Sequence, residues 1–501
     1  MALLNEVKKY YGRLSNYIGG SFVPSNSPDV LNVENPSTRE IIGEVPLSLP
    51  EEVDAAIESA ASAFKAWRET PPTVRQEYVK NLGDVILEHK EEIARIITQE
   101  MGKTIQEARD EVGRCIDMCR AALSVPRMMM GYGTEDVTTG LDEYCLKQPI
   151  GVFAMIAPYN FPGMVPYWFL PFALATGNTY IVKPSELVPI TQTYMFELIH
   201  DKVKLPAGVL NMVHGSKEVA NRLLTHPKVA GISFVGSSEV AKIVYTVASQ
   251  HFKRVQCQGG AKNYIVVMPD CNLDDAISSL ASSFYGCAGQ RCLAGSVLVG
   301  VGKIYDELKE RFVEFVKGYI VGYGLDESVN MGPVISEKHR NKILSLIDQA
   351  VKDGAKILLD GRNPQVKDGY DGYYIGPTVL EGVAPDSIVG KTEIFGPVAS
   401  LMKVETLDEA IEIINAGDYG NGACIYTENA KAVRDFQYRV QAGNIGVNLG
   451  LPAPTGHFPF CGKKDSFFGT LHGQGQDVVD FFTDRKVVLA RYFGLRKRFF
   501  A

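Results

Sequence analysis

Gly151-Val152-Phe153-Ala154-Met155-Ile156-Ala157-Pro158-Tyr159-Asn160-Phe161-Pro162 is the stretch on which the fold turns. It opens with a short apolar run, 151–157, the first of a series. Further runs at 179–182, 209–213 and 229–235 are separated by segments of helical length such as 191–203. Apolar strands that alternate with helices predict α/β architecture, a parallel sheet covered on both faces. Upstream, 51–69 places Val53, Ile57, Ala60 and Phe64 on one helical face. The segment 73–101 continues with helical spacing and stops at Gly102. A second strand-and-helix set starts near Tyr264 and runs to about 460. The stretches 138–147 and 487–492 fit neither set, and there is no internal repeat or low-complexity linker.

A chain of 501 residues exceeds what one hydrophobic core usually serves, so two or three domains are expected. Apolar content of 46% and charged content of 22% are those of a globular protein. The net charge of −7 argues against nucleic acid or an anionic membrane as partner. No stretch approaches the length of a membrane span, and 1–13 lacks an apolar signal core. The nine cysteines form no Cys-x-x-Cys pairs, so no metal site is expected, and their scatter suits a reducing cytoplasm.

Residues 284–295, Phe-Tyr-Gly-Cys-Ala-Gly-Gln-Arg-Cys-Leu-Ala-Gly, set Cys292 among small residues directly after Arg291. Small neighbours let substrate and main-chain N–H groups approach the sulfur. Upstream lies Gln258, in Cys257-Gln258-Gly259-Gly260-Ala261-Lys262-Asn263, a glycine-rich turn suited to bringing a second backbone stretch close. The pattern suggests a cysteine nucleophile; on local sequence alone the commoner reading of Cys292 is one more buried, small apolar residue.

Six motifs together decide between these readings. They are Pro158-Tyr159-Asn160-Phe161-Pro162, Lys183-Pro184-Ser185-Glu186, Phe234-Val235-Gly236-Ser237-Ser238-Glu239, Gly259-Gly260-Ala261-Lys262-Asn263, Gly289-Gln290-Arg291-Cys292 and Glu393-Ile394-Phe395-Gly396-Pro397. In order and spacing the chain resembles the aldehyde dehydrogenase superfamily from roughly 15 to 495. Within it, Gly-x-Arg-Cys, Asn160-Phe161-Pro162-Gly163-Met164-Val165-Pro166 and Gly443-Asn444-Ile445-Gly446-Val447-Asn448 resemble the methylmalonate-semialdehyde dehydrogenase subfamily. Two departures stand out: Ala241 where the dinucleotide turn usually closes with glycine, and Thr455, Gly456 and His457 in a segment that is usually apolar and proline-rich.

The resemblance implies a Rossmann-type NAD-binding domain from 1–128 and 148–257, and an α/β catalytic domain from 258–465. It also implies oligomerisation arms at 129–147 and 478–495, and assembly as a homodimer or homotetramer. Lys183 and Glu186 would hold the adenine ribose, the carboxylate disfavouring the extra phosphate of NADP. Ser237 would lie at the strand-to-helix turn facing pyrophosphate, Glu393 would bind the nicotinamide ribose, and Ala157, Tyr159 and Gly259 would line the nicotinamide half. Cys292 would be the nucleophile, with the Asn160 amide and the Cys292 N–H meeting the adduct oxygen. Hydrolytic members carry a glutamate base where this chain has Gln258, and an amide has no basic site near neutral pH. The acyl acceptor is therefore expected to be coenzyme A, with water, and a free acid product, as the alternative. Arg114 and Arg291 match the subfamily's carboxylate-binding positions, which implies a semialdehyde such as malonate or methylmalonate semialdehyde.

Overall fold

A computed structural model describes residues 3–493. The run 151–157 forms the strand Val152–Ile156, buried along its whole length. It sits inside an eight-stranded sheet whose five central members, Leu210–Met212, Thr179–Lys183, Val152–Ile156, Val229–Val235 and Arg254–Gln258, are parallel. The second set forms a seven-stranded sheet in the order Lys356–Leu359, Thr378–Glu381, Val398–Val404, Gly295–Val301, Asn263–Val267, Gly422–Tyr426, Asn444–Val447. Only the first pair of that sheet is antiparallel. Each sheet is packed on both faces: Ile181, Ile232 and Val213 lie under one layer of the first, Phe153, Tyr180 and Val182 under the other. This is the reason the strands read as continuous apolar runs instead of alternating ones.

The two sheets meet in an unequal way that places the site. Strands of the first sheet present their carboxyl ends, so the loops after Ile156, Lys183, Val235 and Gln258 gather on one edge. The second sheet presents amino ends: Cys292, Glu393 and Asn421 immediately precede Gly295–Val301, Val398–Val404 and Gly422–Tyr426.

Three expectations are corrected. The segment 73–101 is two helices, Pro72–Glu88 and Lys90–Met101, because His89 leaves helical geometry (φ −104°, ψ 19°) and its Nδ1 meets Glu92 Oε2 at 2.8 Å. The second helix does end at Gly102, in the left-handed region at φ 92°. The segment 191–203 is the helix Ile190–Leu198 followed by a wider π-helical turn, Ile199–Val203. The stretch 478–495 is not all arm. Its first residues belong to the helix Gly475–Phe482, whose Phe481 and Phe482 pack on Phe153 with ring centres 5.4 and 4.7 Å apart. The extended part is Thr483–Arg491, which pairs antiparallel along the whole of Leu141–Pro149; that strand pairs in turn with Tyr132–Thr138. Residues 494–495 of the expected arm, like residues 1–2 of the first expected domain, lie outside the described residues. One short strand crosses the expected boundary at 465: Phe467–Phe468 returns to the first sheet beside Cys257 and Gln258. No helix among the described residues is long and apolar enough to cross a membrane.

Candidate active site

The loop that carries Cys292 begins where the helix Leu273–Tyr285 ends. Cys287 and Ala288 both turn left-handed, at φ 51°, and reverse the chain within four residues, Gly286–Gly289. A side chain at Gly286 would collide with the guanidinium of Arg291, which folds back over the turn. The Cys292 carbonyl is pinned by two carboxamides, Asn263 Nδ2 at 2.9 Å and Asn421 Nδ2 at 2.8 Å. With the backbone so anchored, the amides of Cys292 and Leu293 act on the sulfur and ease its ionisation. They do not prevail. Enclosure first and the Glu393 carboxylate second push the thiol up to about 12. This departs from the few per cent of thiolate that an ordinary cysteine carries near neutrality.

A cavity of about 680 Å³ opens at the junction of the sheets, within the usual size for a cofactor site. Nine residues singled out from sequence line it: Ala157, Tyr159, Asn160, Lys183, Glu186, Ser237, Gly259, Cys292 and Glu393. Lys183, 3% exposed, donates to Glu186 Oε2 at 3.1 Å and to the Pro184 carbonyl at 2.9 Å. Burial lowers its pKa, and the glutamate partly restores it. Ser237 caps the helix Ser238–Gln250, its Oγ accepting from Val240 N. Ala241, where glycine was expected, is fully buried against the first sheet. Glu393 accepts from Ala261 N at 2.9 Å, and its other oxygen lies 2.6 Å from where a Cβ on Gly260 would stand. A side chain there would oblige the carboxylate to shift. Enclosure raises Glu393 to about 7, against the Ala261 amide and the Lys342 and Lys262 ammonium groups, which lower it.

This surface suits a dinucleotide. It combines a buried lysine paired with a partly exposed carboxylate, a helix N-terminus, glycines without side-chain bulk and the apolar Leu224 and Val244.

Asn160 is 5% exposed; its Nδ2 donates to the Gln290 carbonyl at 2.9 Å, which ties the 158–162 motif to the nucleophile loop. Gln258 ends the strand Arg254–Gln258, with Nε2 donating to the Phe460 carbonyl at 3.2 Å and Oε1 buried without a protein donor.

The two arginines are not brought to the cavity surface. Arg291 donates to Glu107 Oε1 at 3.0 Å and to Cys287 Sγ at 3.2 Å, so a substrate carboxylate reaching it must exchange with Glu107. Arg114, half-buried on the helix Ile105–Ala122, donates to the Pro454 carbonyl, inside the segment that departs from the subfamily pattern.

Sequence reasoning passed over Asn421, which no local pattern marks, and took Asn263 only as the end of a glycine motif. It also missed His339 and Lys342, both lining the cavity from the helix Glu337–Lys352; the His339 Nε2–H donates to the Phe395 carbonyl at 2.7 Å.

Comparison with known proteins places this arrangement among relatives. The sequence model of the aldehyde dehydrogenase family matches residues 22–488. A malonate-semialdehyde dehydrogenase of Halalkalibacterium halodurans is 45% identical over 480 residues, covering 96% of this chain and 98% of that protein. Malonate-semialdehyde dehydrogenase 2 of Geobacillus kaustophilus is 46% identical over 480 residues, covering 96% and 99%. Among solved structures, a Sinorhizobium meliloti 1021 protein complexed with NAD superposes with a TM-score of 0.95 at 38% identity, covering 97% of this chain and 99% of that one. The methylmalonate-semialdehyde dehydrogenase of Oceanimonas doudoroffii gives 0.94 at 38% identity, covering 96% and 99%.

Proposed function

This chain belongs to the aldehyde dehydrogenase family, and from that premise we propose that it oxidises malonate or methylmalonate semialdehyde with NAD and passes the acyl group to coenzyme A. The observation that carries the choice of acceptor is Gln258, an amide where water activation needs a base. Relatives named for malonate and methylmalonate semialdehyde support the substrate class.

NAD, when bound, supplies the hydride acceptor. Of the residues lining the cavity, Lys183 and Glu186 would hold its adenine ribose, Ser237 and the following helix N-terminus its phosphates, and Glu393 its nicotinamide ribose, with Ala157, Tyr159 and Gly259 along the wall. Cys292, partly exposed in the cavity, gives its proton to solvent and attacks the aldehyde carbon; a carbon–sulfur bond forms as the carbonyl π pair moves to oxygen. Asn160 Nδ2 and the Cys292 N–H meet the resulting oxyanion; losing one such donor typically costs about 10²–10³ in rate. After hydride loss the acyl group is a thioester on Cys292. Gln258 cannot take a proton from water, and missing general-base assistance typically costs about 10²–10⁴. The coenzyme A thiolate needs no such base: it attacks the thioester carbon and expels the Cys292 thiolate. Loss of the substrate carboxylate as CO₂, with a solvent proton taken up at the carbon it leaves, gives acetyl- or propionyl-coenzyme A. Arg114 and Arg291 select that carboxylate, Arg291 by exchanging Glu107 for it.

We also assign the chain to the cytoplasm, supported by nine free cysteines, and to a homodimer or homotetramer. The arm strands support the second reading, since Tyr132, Val487 and Leu489 are exposed on them.

Rapid mixing with NAD and malonate semialdehyde, without coenzyme A, tests the proposal. An NADH burst of about one equivalent per site followed by slow turnover, relieved by coenzyme A, is expected. Steady turnover to free acid without coenzyme A would establish the hydrolytic alternative instead.

A further inference from the structure

The helix Ile105–Ala122 carries Glu107, Glu111 and Arg114 at spacings of four and three, which puts them on one face. Side chains of that face reach three separate segments. Glu107 accepts from the Cys287 amide at 2.6 Å and from Arg291, holding the nucleophile turn. Arg114 meets Pro454. Glu111 turns to the Asn160 loop.

The Glu111 carboxylate and the Lys103 ammonium form an ion pair at 2.5 Å whose side chains are wholly excluded from solvent. Both partners direct their remaining bonding capacity to one segment. Lys103 Nζ donates to the Asn160 carbonyl at 2.8 Å and lies 3.8 Å from the centre of the Phe161 ring. Glu111 Oε1 accepts from Gly163 N at 2.8 Å and Met164 N at 3.0 Å. A buried ion pair is a poor source of stability, because desolvation of two charges offsets most of their attraction. What this pair does secure is position: every hydrogen bond it makes outside itself goes to 160–164.

We propose that Lys103 and Glu111 are positioning residues for the oxyanion donor, fixing the Asn160 main chain so that its carboxamide is aimed before substrate arrives. The proposal rests on the reading of Asn160 as that donor. With its carbonyl held by Lys103 and one amide N–H held by the Gln290 carbonyl, the Asn160 side chain keeps its second N–H for the adduct oxygen. Preorganisation of this kind removes reorientation from the moment of reaction. Apart from the Asn160–Gln290 bond, the nucleophile turn has anchors of its own in Glu107, Asn263 and Asn421, so loosening the pair is expected to leave the thiol in place.

The test compares Asn160→Ala, the double variant Lys103→Gln with Glu111→Gln, and the triple combination, in the full-length enzyme. Four quantities are read: the rate of the first NADH burst with malonate semialdehyde, NAD affinity, the rate of Cys292 alkylation by iodoacetamide, and the melting temperature. The double variant is expected to slow the burst about 10–100-fold, the scale of a catalytic group displaced by an ångström, with NAD affinity and alkylation unchanged. In the Asn160→Ala background the same pair of substitutions should cost nothing more, since the group they aim is gone. An equal further loss in that background, or loss of alkylation and NAD binding together, would make the pair a general scaffold and overturn the proposal. If Asn160→Ala slows the burst and the double variant does not, the positioning role alone is wrong. If Asn160→Ala leaves the burst intact, the oxyanion assignment fails first and the proposal with it. Should the double variant not fold, Glu111→Gln, which keeps the side-chain shape, is read by the same criteria.

Discussion

Arg291 and Glu107 stand 3.0 Å apart, on the loop before the second sheet and on a helix of the first half of the chain. The same Glu107 oxygen accepts the Cys287 amide. The residue before Cys292 is thus tied to the turn Gly286–Gly289 through a shared carboxylate, and any anion that is to reach Arg291 has to displace it.

Arg114→Leu and Arg291→Leu separate carboxylate selection from loop support. Arg114→Leu is expected to raise KM for malonate semialdehyde about 10–100-fold, the worth of one hydrogen bond to a charged group, with propanal little affected. Arg291→Leu should do the same if it exchanges partners. Steady-state kinetics on both aldehydes decides: equal losses for propanal and semialdehyde mean that the arginine serves the loop.

Gln258→Glu introduces a carboxylate facing the Phe460 carbonyl, an acceptor, in a buried position. Such surroundings favour the neutral acid. Turnover without coenzyme A should therefore rise, but by less than the full general-base factor of about 10²–10⁴, and more at high pH. Free-acid formation measured against pH checks this; a hydrolytic rate identical to wild type at every pH would remove residue 258 from the choice of acceptor.

Glu186→Gln removes the anion beside Lys183 and leaves the ammonium without its partner. The ratio of kcat/KM for NADP to that for NAD is expected to rise about tenfold, equivalent to about 1.4 kcal/mol. A constant ratio would place discrimination elsewhere in the cavity.

Glu393 sits at about 7 and raises the Cys292 thiol when ionised. Raising the pH through that value adds a negative charge beside a group about to become negative, so it opposes thiolate formation. In the nucleotide-free enzyme, Glu393→Gln should move the pH profile of iodoacetamide alkylation to lower pH. A shift of one unit corresponds to about 1.4 kcal/mol. Coincident profiles would leave burial as the sole cause of the raised thiol.

The sequence by itself determined the parallel sheets, because strands buried on both faces must be apolar throughout and their lengths exclude helices. It also marked residues of the cavity wall, but only through six motifs read together, since the cysteine among small residues and the lysine–glutamate pair are each ambiguous as local patterns. Helix boundaries around His89 and the buried start of the expected C-terminal arm were illegible, because they depend on what packs against them: Phe481 and Phe482 read as arm residues until Phe153 is placed beneath them. Only the tertiary structure decided what holds the chemistry in place. Asn421 lies 129 residues from Cys292, Glu107 180 residues from Cys287, and Asn160 130 residues from Gln290. Hydrogen bonds between such distant positions leave no periodicity for a sequence to display, and they arise only when folding brings separate helices, loops and strand ends together.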